Sequence, residues 1–177
     1  GYAFAKRMLE VESRLYNNIS KTIYICVIPT NVYGPNDNYS LSDGHVIPSL
    51  IHRCYLAKEK GIDFVVYGSG KPLRQFIYSM DLAKLILLIL DKYDDREGII
   101  LAPNREYSIK EVSELICINF NYSNIIFDTS KSDGQFKKTA SNEKLLKLYS
   151  GFRFTTLKEG LKETICWFNI KYPNIRK

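Results

Sequence analysis

Thr22-Ile-Tyr-Ile-Cys-Val-Ile-Pro29 is a nearly unbroken apolar and β-branched run. It is short, and it lacks the polar alternation of a half-wet strand, so it predicts a strand covered on both faces of a parallel sheet. Parallel neighbours require crossover connections, usually helical. The rest of the chain supplies that pattern. Tyr2 to Asn18 places Met8, Leu9, Val11, Leu15 and Tyr16 at helical spacing, and Asn17, Asn18 and Ser20 mark an exit. A polar loop over Asn31 to Gly44 leads to a helix over Val46 to Lys60, with Pro48 in its first turn. Asp63 to Tyr67 predicts a strand, Gly68, Gly70 and Pro72 a turn, Arg74 to Tyr78 an extended segment and Met80 to Tyr93 a helix. Gly98 to Leu101 predicts a strand, Ser108 to Asn119 a helix capped by Ser108 with Glu111 three residues on, and Asn124 to Phe127 a strand. Helices near Ser141 to Lys147 and over Thr155 to Lys171 complete an α/β chain without internal repeats. One strongly buried strand does not complete a parallel sheet. The pattern therefore predicts either more sheet outside these residues or a second chain over the open edge.

A length of 177 residues with 45% hydrophobic and 13% aromatic residues suits one folded domain rather than a disordered segment. No apolar run is long enough for a bilayer, so the expectation is a soluble, cytoplasmic protein without a membrane partner. Gly1-Tyr-Ala-Phe-Ala-Lys6 has neither an initiator Met nor a charged-then-apolar leader and reads as an internal starting point. Cys26, Cys54, Cys117 and Cys166 form no Cys-x-x-Cys pair, which removes the usual zinc and redox signatures. No metal is expected. A reducing compartment fits, with Cys26, Cys117 and Cys166 as buried thiols on a strand and two amphipathic helices. The net charge of +6 is spread along the chain, and even Lys131 to Lys138 is diluted by Asp133, Gly134 and Gln135. That distribution favours a solvated basic face over a nucleic-acid stripe, and leaves phosphate groups on a small ligand as an open partner.

Tyr2 and Lys6 stand four residues apart on the first helix and so share a face. An ammonium there favours the phenolate and lets Tyr2 trade a proton with a carbonyl or an alcohol. Such a helix, followed by a buried strand that runs into Pro29-Thr-Asn-Val-Tyr-Gly-Pro35, resembles the extended short-chain dehydrogenase/reductase family. In that family the Tyr is the acid–base residue and the Lys holds the nicotinamide ribose. The resemblance narrows over Asn36-Asp-Asn38, Asp43-Gly-His-Val-Ile-Pro48, Tyr67-Gly-Ser-Gly-Lys-Pro-Leu-Arg-Gln-Phe-Ile-Tyr-Ser-Met-Asp-Leu-Ala83 and Asp128-Thr-Ser-Lys-Ser-Asp-Gly-Gln-Phe-Lys-Lys138. These stretches occur in the order of the GDP-L-fucose synthase branch of that family.

The resemblance implies the C-terminal part of such an enzyme. Residues 1–35 would be the end of a Rossmann-type domain. Residues 36–177 would be mainly a small α/β sugar-nucleotide-binding domain, with some segments returning to the Rossmann-type part. It implies 3,5-epimerisation of GDP-4-keto-6-deoxy-D-mannose, NADPH-dependent reduction of its ketone, and a homodimer. A ketone acidifies the C–H bonds on both sides, so an acid–base pair can exchange those protons through an enolate. In the branch that pair is a Cys, which would precede Tyr2, and a His, which matches His45. His45 stands at a helix start, where the positive dipole end favours the neutral ring. Tyr2, Lys6 and Asn31 are the implied cofactor contacts. Arg74, with Arg53 and Lys131, is the implied diphosphate clamp, since a guanidinium bonds two phosphate oxygens at once. Tyr67 matches a position that often holds Trp in relatives and would pack on the guanine or ribose. Asn31 and Val46 would line the sugar-nucleotide pocket. Gly68-Ser-Gly70 lacks the third glycine and the following helix of a dinucleotide fingerprint, so most of an NADP(H) site, and turnover with it, is not expected of these residues alone. His52 reads as a surface residue. Another nucleotide-sugar epimerase or dehydratase of the same family, or a non-catalytic nucleotide-sugar-binding domain, fits the same pattern less fully.

Overall fold

The computed structural model describes residues 1–177. In chain order its elements are α1 (Tyr2–Ile19), β1 (Val27–Pro29), β2 (Asn31–Tyr33), α2 (Val46–Lys60), β3 (Phe64–Tyr67), β4 (Leu73–Arg74), β5 (Phe76–Tyr78), α3 (Ser79–Lys92), β6 (Ile99–Leu101), β7 (Tyr107–Ser108), α4 (Ile109–Phe120), β8 (Ile125–Asp128), β9 (Lys137–Lys138), α5 (Glu143–Leu148) and α6 (Leu157–Lys171). Three parallel pairs, β1 with β6, β2 with β5 and β3 with β8, make up most of the sheet structure. In a separate three-stranded unit β4 lies between an antiparallel β7 and a parallel β9. The α/β class and the parallel pairing follow the sequence pattern.

The opening strand is a correction. Only Val27–Pro29 of the run from Thr22 to Pro29 pairs, on one edge, with β6. Ile28 remains 47% exposed. The apolar alphabet that predicts a two-sided strand is present, but the cover for its second edge and outer face is not supplied by these residues. Asn31–Tyr33, placed in a loop by its polar surroundings, is instead strand β2. The segment from Arg74 to Tyr78 splits at Gln75, whose buried amide donates to the carbonyls of Pro103 and Ala140 and accepts the Ala140 N–H. Those bonds fasten the segment after β9 to the junction between β4 and β5.

Two apolar clusters hold the elements. The larger joins α2, α4 and α6 over β3 and β5, with Ile51, Phe64, Val112, Ile116, Leu161 and Phe168 at its centre. Helices α4 and α6 enter through capping boxes, Ser108 with Glu111 and Thr156 with Glu159, each satisfying two otherwise orphaned backbone donors. The smaller cluster packs α3 and α5 against β6 through Leu85, Ile89, Leu101 and Leu145. Helix α1 belongs to neither. Its one buried residue is Asn17, whose side chain exchanges two 2.8 Å hydrogen bonds with the Tyr24 backbone and whose carbonyl accepts from Arg96. That clasp fixes the exit of α1 while Tyr2, Phe4, Met8, Leu9 and Leu15 stay exposed.

Two side-chain expectations are overturned. His52 is buried, 4% exposed, because its Nδ1 bonds the Tyr39 carbonyl at 2.8 Å and its ring sits between Phe168 and Tyr172. Cys166 is exposed, since Ile165 and Phe168 take the inward face of α6; Cys26 is half-buried, whereas Cys117 is buried beside Cys54.

Candidate active site

A cleft of about 1680 Å³ opens between α1, the ends of β1 and β2, the start of α2 and strand β9. Tyr2, Lys6, Asn31, His45 and Val46 all line it. Helix α1 carries Tyr2 and Lys6 on one face, one turn apart, with the Lys6 Nζ 5.6 Å from the centre of the Tyr2 ring. Asn31 begins β2, and its Nδ2 donates to the Gln75 carbonyl at 2.9 Å across to the neighbouring strand. The amide is thus fixed with its oxygen still free to accept.

His45 is the N-cap of α2, in an extended conformation, and makes no side-chain cap bond. Its Nδ1 instead lies 3.1 Å from Asp37 Oδ1. Asp37 is a residue that reasoning from sequence passes over, although it sits eight positions earlier in the same loop and also lines the cleft. The loop is folded on itself: Asn38 Oδ1 accepts the Ser40 N–H at 3.0 Å, Ser40 Oγ accepts the Asp43 N–H at 3.2 Å, and the Gly44 N–H donates to the Ser40 carbonyl at 3.1 Å. Tyr39 anchors it from below, stacked on Trp167 at 5.8 Å and donating its N–H to the Arg176 carbonyl at 2.9 Å.

The remaining expected residues lie elsewhere. Arg53 stacks on Tyr67, with 4.2 Å from guanidinium carbon to ring centre, and donates to the Leu41 carbonyl at 3.0 Å. Both line a second, smaller hollow of about 320 Å³. Arg74 spends Nη1 and Nη2 on the carbonyls of Leu73, Gln135 and Phe136, which pins the start of β9 to β4. Lys131 is exposed, and its backbone N–H closes a turn on the Asp128 carbonyl. The structure therefore gathers Tyr2, Lys6, Asn31, His45 and Val46 in one cleft and sets Arg53 with Tyr67 in another. Lys137 and Lys138 of β9 also line the large cleft, and Lys137 pairs with Glu106 at 3.2 Å.

Thr30, a further lining residue, carries a buried hydroxyl with no hydrogen-bond partner. A buried hydroxyl left unpaired costs about 1–3 kcal/mol, so this wall suits a ligand with polar atoms. A Tyr with a nearby ammonium, a His held by a carboxylate and an unpaired hydroxyl on one cavity are groups that can hold a polar ligand and exchange protons with it.

Comparisons with known proteins identify the family. Residues 1–120 match the NAD dependent epimerase/dehydratase family. The GDP-L-fucose synthase of Dictyostelium discoideum is 49% identical over 100% of this chain and 56% of its own length. A probable GDP-L-fucose synthase of Drosophila melanogaster is 40% identical over 100% of this chain and 58% of its own. The crystal structure of a GDP-L-fucose synthetase from Naegleria fowleri bound to NADP superposes with a TM-score of 0.97 at 46% identity, covering 99% of this chain and 55% of that one. The chain thus spans about half the length of the relatives it matches. It belongs to the NAD dependent epimerase/dehydratase family.

Proposed function

We propose that the full-length protein carrying this chain converts GDP-4-keto-6-deoxy-D-mannose to GDP-L-fucose, and that this chain supplies the reducing tyrosine, one epimerising base and part of the nucleotide contacts. The observation that carries the reading is the meeting of Tyr2 and Lys6 from α1 with His45 from the start of α2 on one cleft. The relatives named GDP-L-fucose synthase support the choice of reaction within the family.

In this reading His45 removes or returns a proton at a carbon beside the ketone, where the carbonyl stabilises the resulting enolate. Tyr2 protonates the ketone oxygen during reduction, and the nearby Lys6 ammonium favours the charge that Tyr2 then carries. Tyr2, Lys6, Thr30 and Asn31 would hold the nicotinamide end of the cofactor, and the orphaned Thr30 hydroxyl fits a polar group there. NADPH, when bound, supplies the hydride for the ketone. Val46 borders the sugar. Arg53 and Tyr67, stacked together, offer a cation and an aromatic face to the nucleotide, and Arg74 beside β9 and the exposed Lys131 after β8 add positive charge. Residues 1–35 belong to the cofactor-binding half. The residues of α3 and β6, which pack with Val27 and Val32, return to it, and the larger apolar cluster, into which Tyr33 reaches from β2, is mainly the core of the nucleotide-sugar half. The exposed stripe Phe4, Met8 and Leu15 supports pairing of α1 with a second copy.

The test is product analysis with the full-length protein. With NADPH and the GDP-linked keto sugar it forms GDP-L-fucose, and it binds GDP more tightly than UDP. No GDP-L-fucose, or tighter UDP binding, overturns the assignment.

A further inference from the structure

We propose that Asp37 is the positioning residue for His45: its carboxylate holds the Nδ1–H of the ring and so leaves Nε2 as the basic atom. The proposal rests on His45 being the base read above. An ionised carboxylate only accepts hydrogen bonds, so the 3.1 Å contact from His45 Nδ1 to Asp37 Oδ1 requires a proton on Nδ1. The hydrogen bond at one ring nitrogen decides which nitrogen of a neutral imidazole is free. A free histidine side chain prefers its proton on Nε2, which would leave no lone pair on the nitrogen directed away from Asp37.

The two partners are built unequally. The Asp37 side chain is 16% exposed and that of His45 74%, so the carboxylate is set in the wall and the ring projects. Asp37 Oδ1 also accepts the Asn38 N–H at 2.7 Å, which fixes the oxygen that meets the ring. The Asn38 side chain then reaches forward to the Asp43 carbonyl at 3.3 Å, closing the eight-residue separation between Asp37 and His45. Gly44 completes the closure, because a Cβ there would lie 2.3 Å from the Ser40 carbonyl oxygen. These are the features of a loop that sets a side chain in advance of its ligand.

The test uses the full-length protein with 15N-labelled histidine, the His45 ring signals being assigned by their loss in His45→Gln. Long-range 1H–15N spectra of the neutral ring report its tautomer directly. The expected result is Nδ1–H in the native protein and a majority of Nε2–H in Asp37→Ala. Turnover at the carbons beside the ketone, followed as deuterium uptake from D2O, falls in Asp37→Ala on the order of 100-fold in kcat with little change in KM; a fully buried tautomer-fixing carboxylate is worth more. An Nε2–H ring in the native protein, an unchanged tautomer in Asp37→Ala, or unchanged deuterium uptake overturns the proposal. Should Asp37→Ala fail to fold, Asp37→Asn decides: its amide can turn an N–H onto Nδ1 and so force the Nε2–H form, and an unchanged tautomer with unchanged deuterium uptake contradicts the role. A protein that makes no GDP-L-fucose, but in which Asp37→Ala both switches the tautomer and lowers deuterium uptake, would sink the proposed reaction and leave this inference standing.

Discussion

At the scale of single residues, His52 separates what spacing reveals from what tertiary structure decides. Its surroundings come from α6 and from Tyr172, more than a hundred positions away, and no local pattern announces them. Tyr2, Lys6 and His45 could be singled out as candidates because each stands at a recognisable place in a motif, and all three line one cleft. Asp37 could not be, because only the folded loop returns it to His45. Burial holds the His52 imidazole below its ordinary value of 6.5. With the folded value lowered, the unfolded chain binds the proton first, so this stabilising contribution is complete above pH 6.5 and is lost as pH falls from there toward the folded value. The depressed carboxyls, Glu111 held by Ser108 and Asp133 by Ser69, act in a separate window below their ordinary values of 4.5 and 3.8. The thermal midpoint should therefore fall between pH 7 and 5, and His52→Gln, which keeps a donor for the Tyr39 carbonyl, should flatten that limb. An identical slope in the variant counts against the assignment. Gly44→Ala should destabilise by about 1–3 kcal/mol in urea denaturation, since its Cβ meets backbone rather than a movable side chain. Unchanged stability would mean that the loop is looser than its hydrogen bonds imply.

Elements were readable where periodicity and end signals agree. Ser108 with Glu111 marks the start of α4 in sequence, and the same spacing at Thr156 and Glu159 starts α6. Thr156→Ala should cost about 1 kcal/mol by chemical denaturation; a loss under a few tenths would show that tertiary packing alone fixes the start of α6. The short strands were harder. β7 and β9 pair over two residues each, and they exist because Leu73 and Arg74 sit between them, not because of any local preference of their own. β1 failed in the other direction. Its composition describes a strand buried on both sides, and composition does not say which residues provide the second side.

The whole molecule carries the same message. The opening helix leaves Tyr2, Phe4, Met8 and Leu15 exposed, and the first strand is paired on one edge only. The chain spans about half the length of the relatives it matches. The 177-residue chain by itself is expected to show no NADPH-dependent turnover, and measurable turnover of the keto sugar by purified chain would refute that division of labour. The central claim is that one cleft unites a reducing tyrosine with an epimerising histidine. The most direct measurement is deuterium incorporation from D2O into the recovered sugar, alongside NADPH consumption, for full-length His45→Asn and Tyr2→Phe. His45→Asn should lose deuterium uptake far more than NADPH consumption, and Tyr2→Phe should lose NADPH consumption far more than deuterium uptake. Equal losses of both activities in both variants would contradict the account.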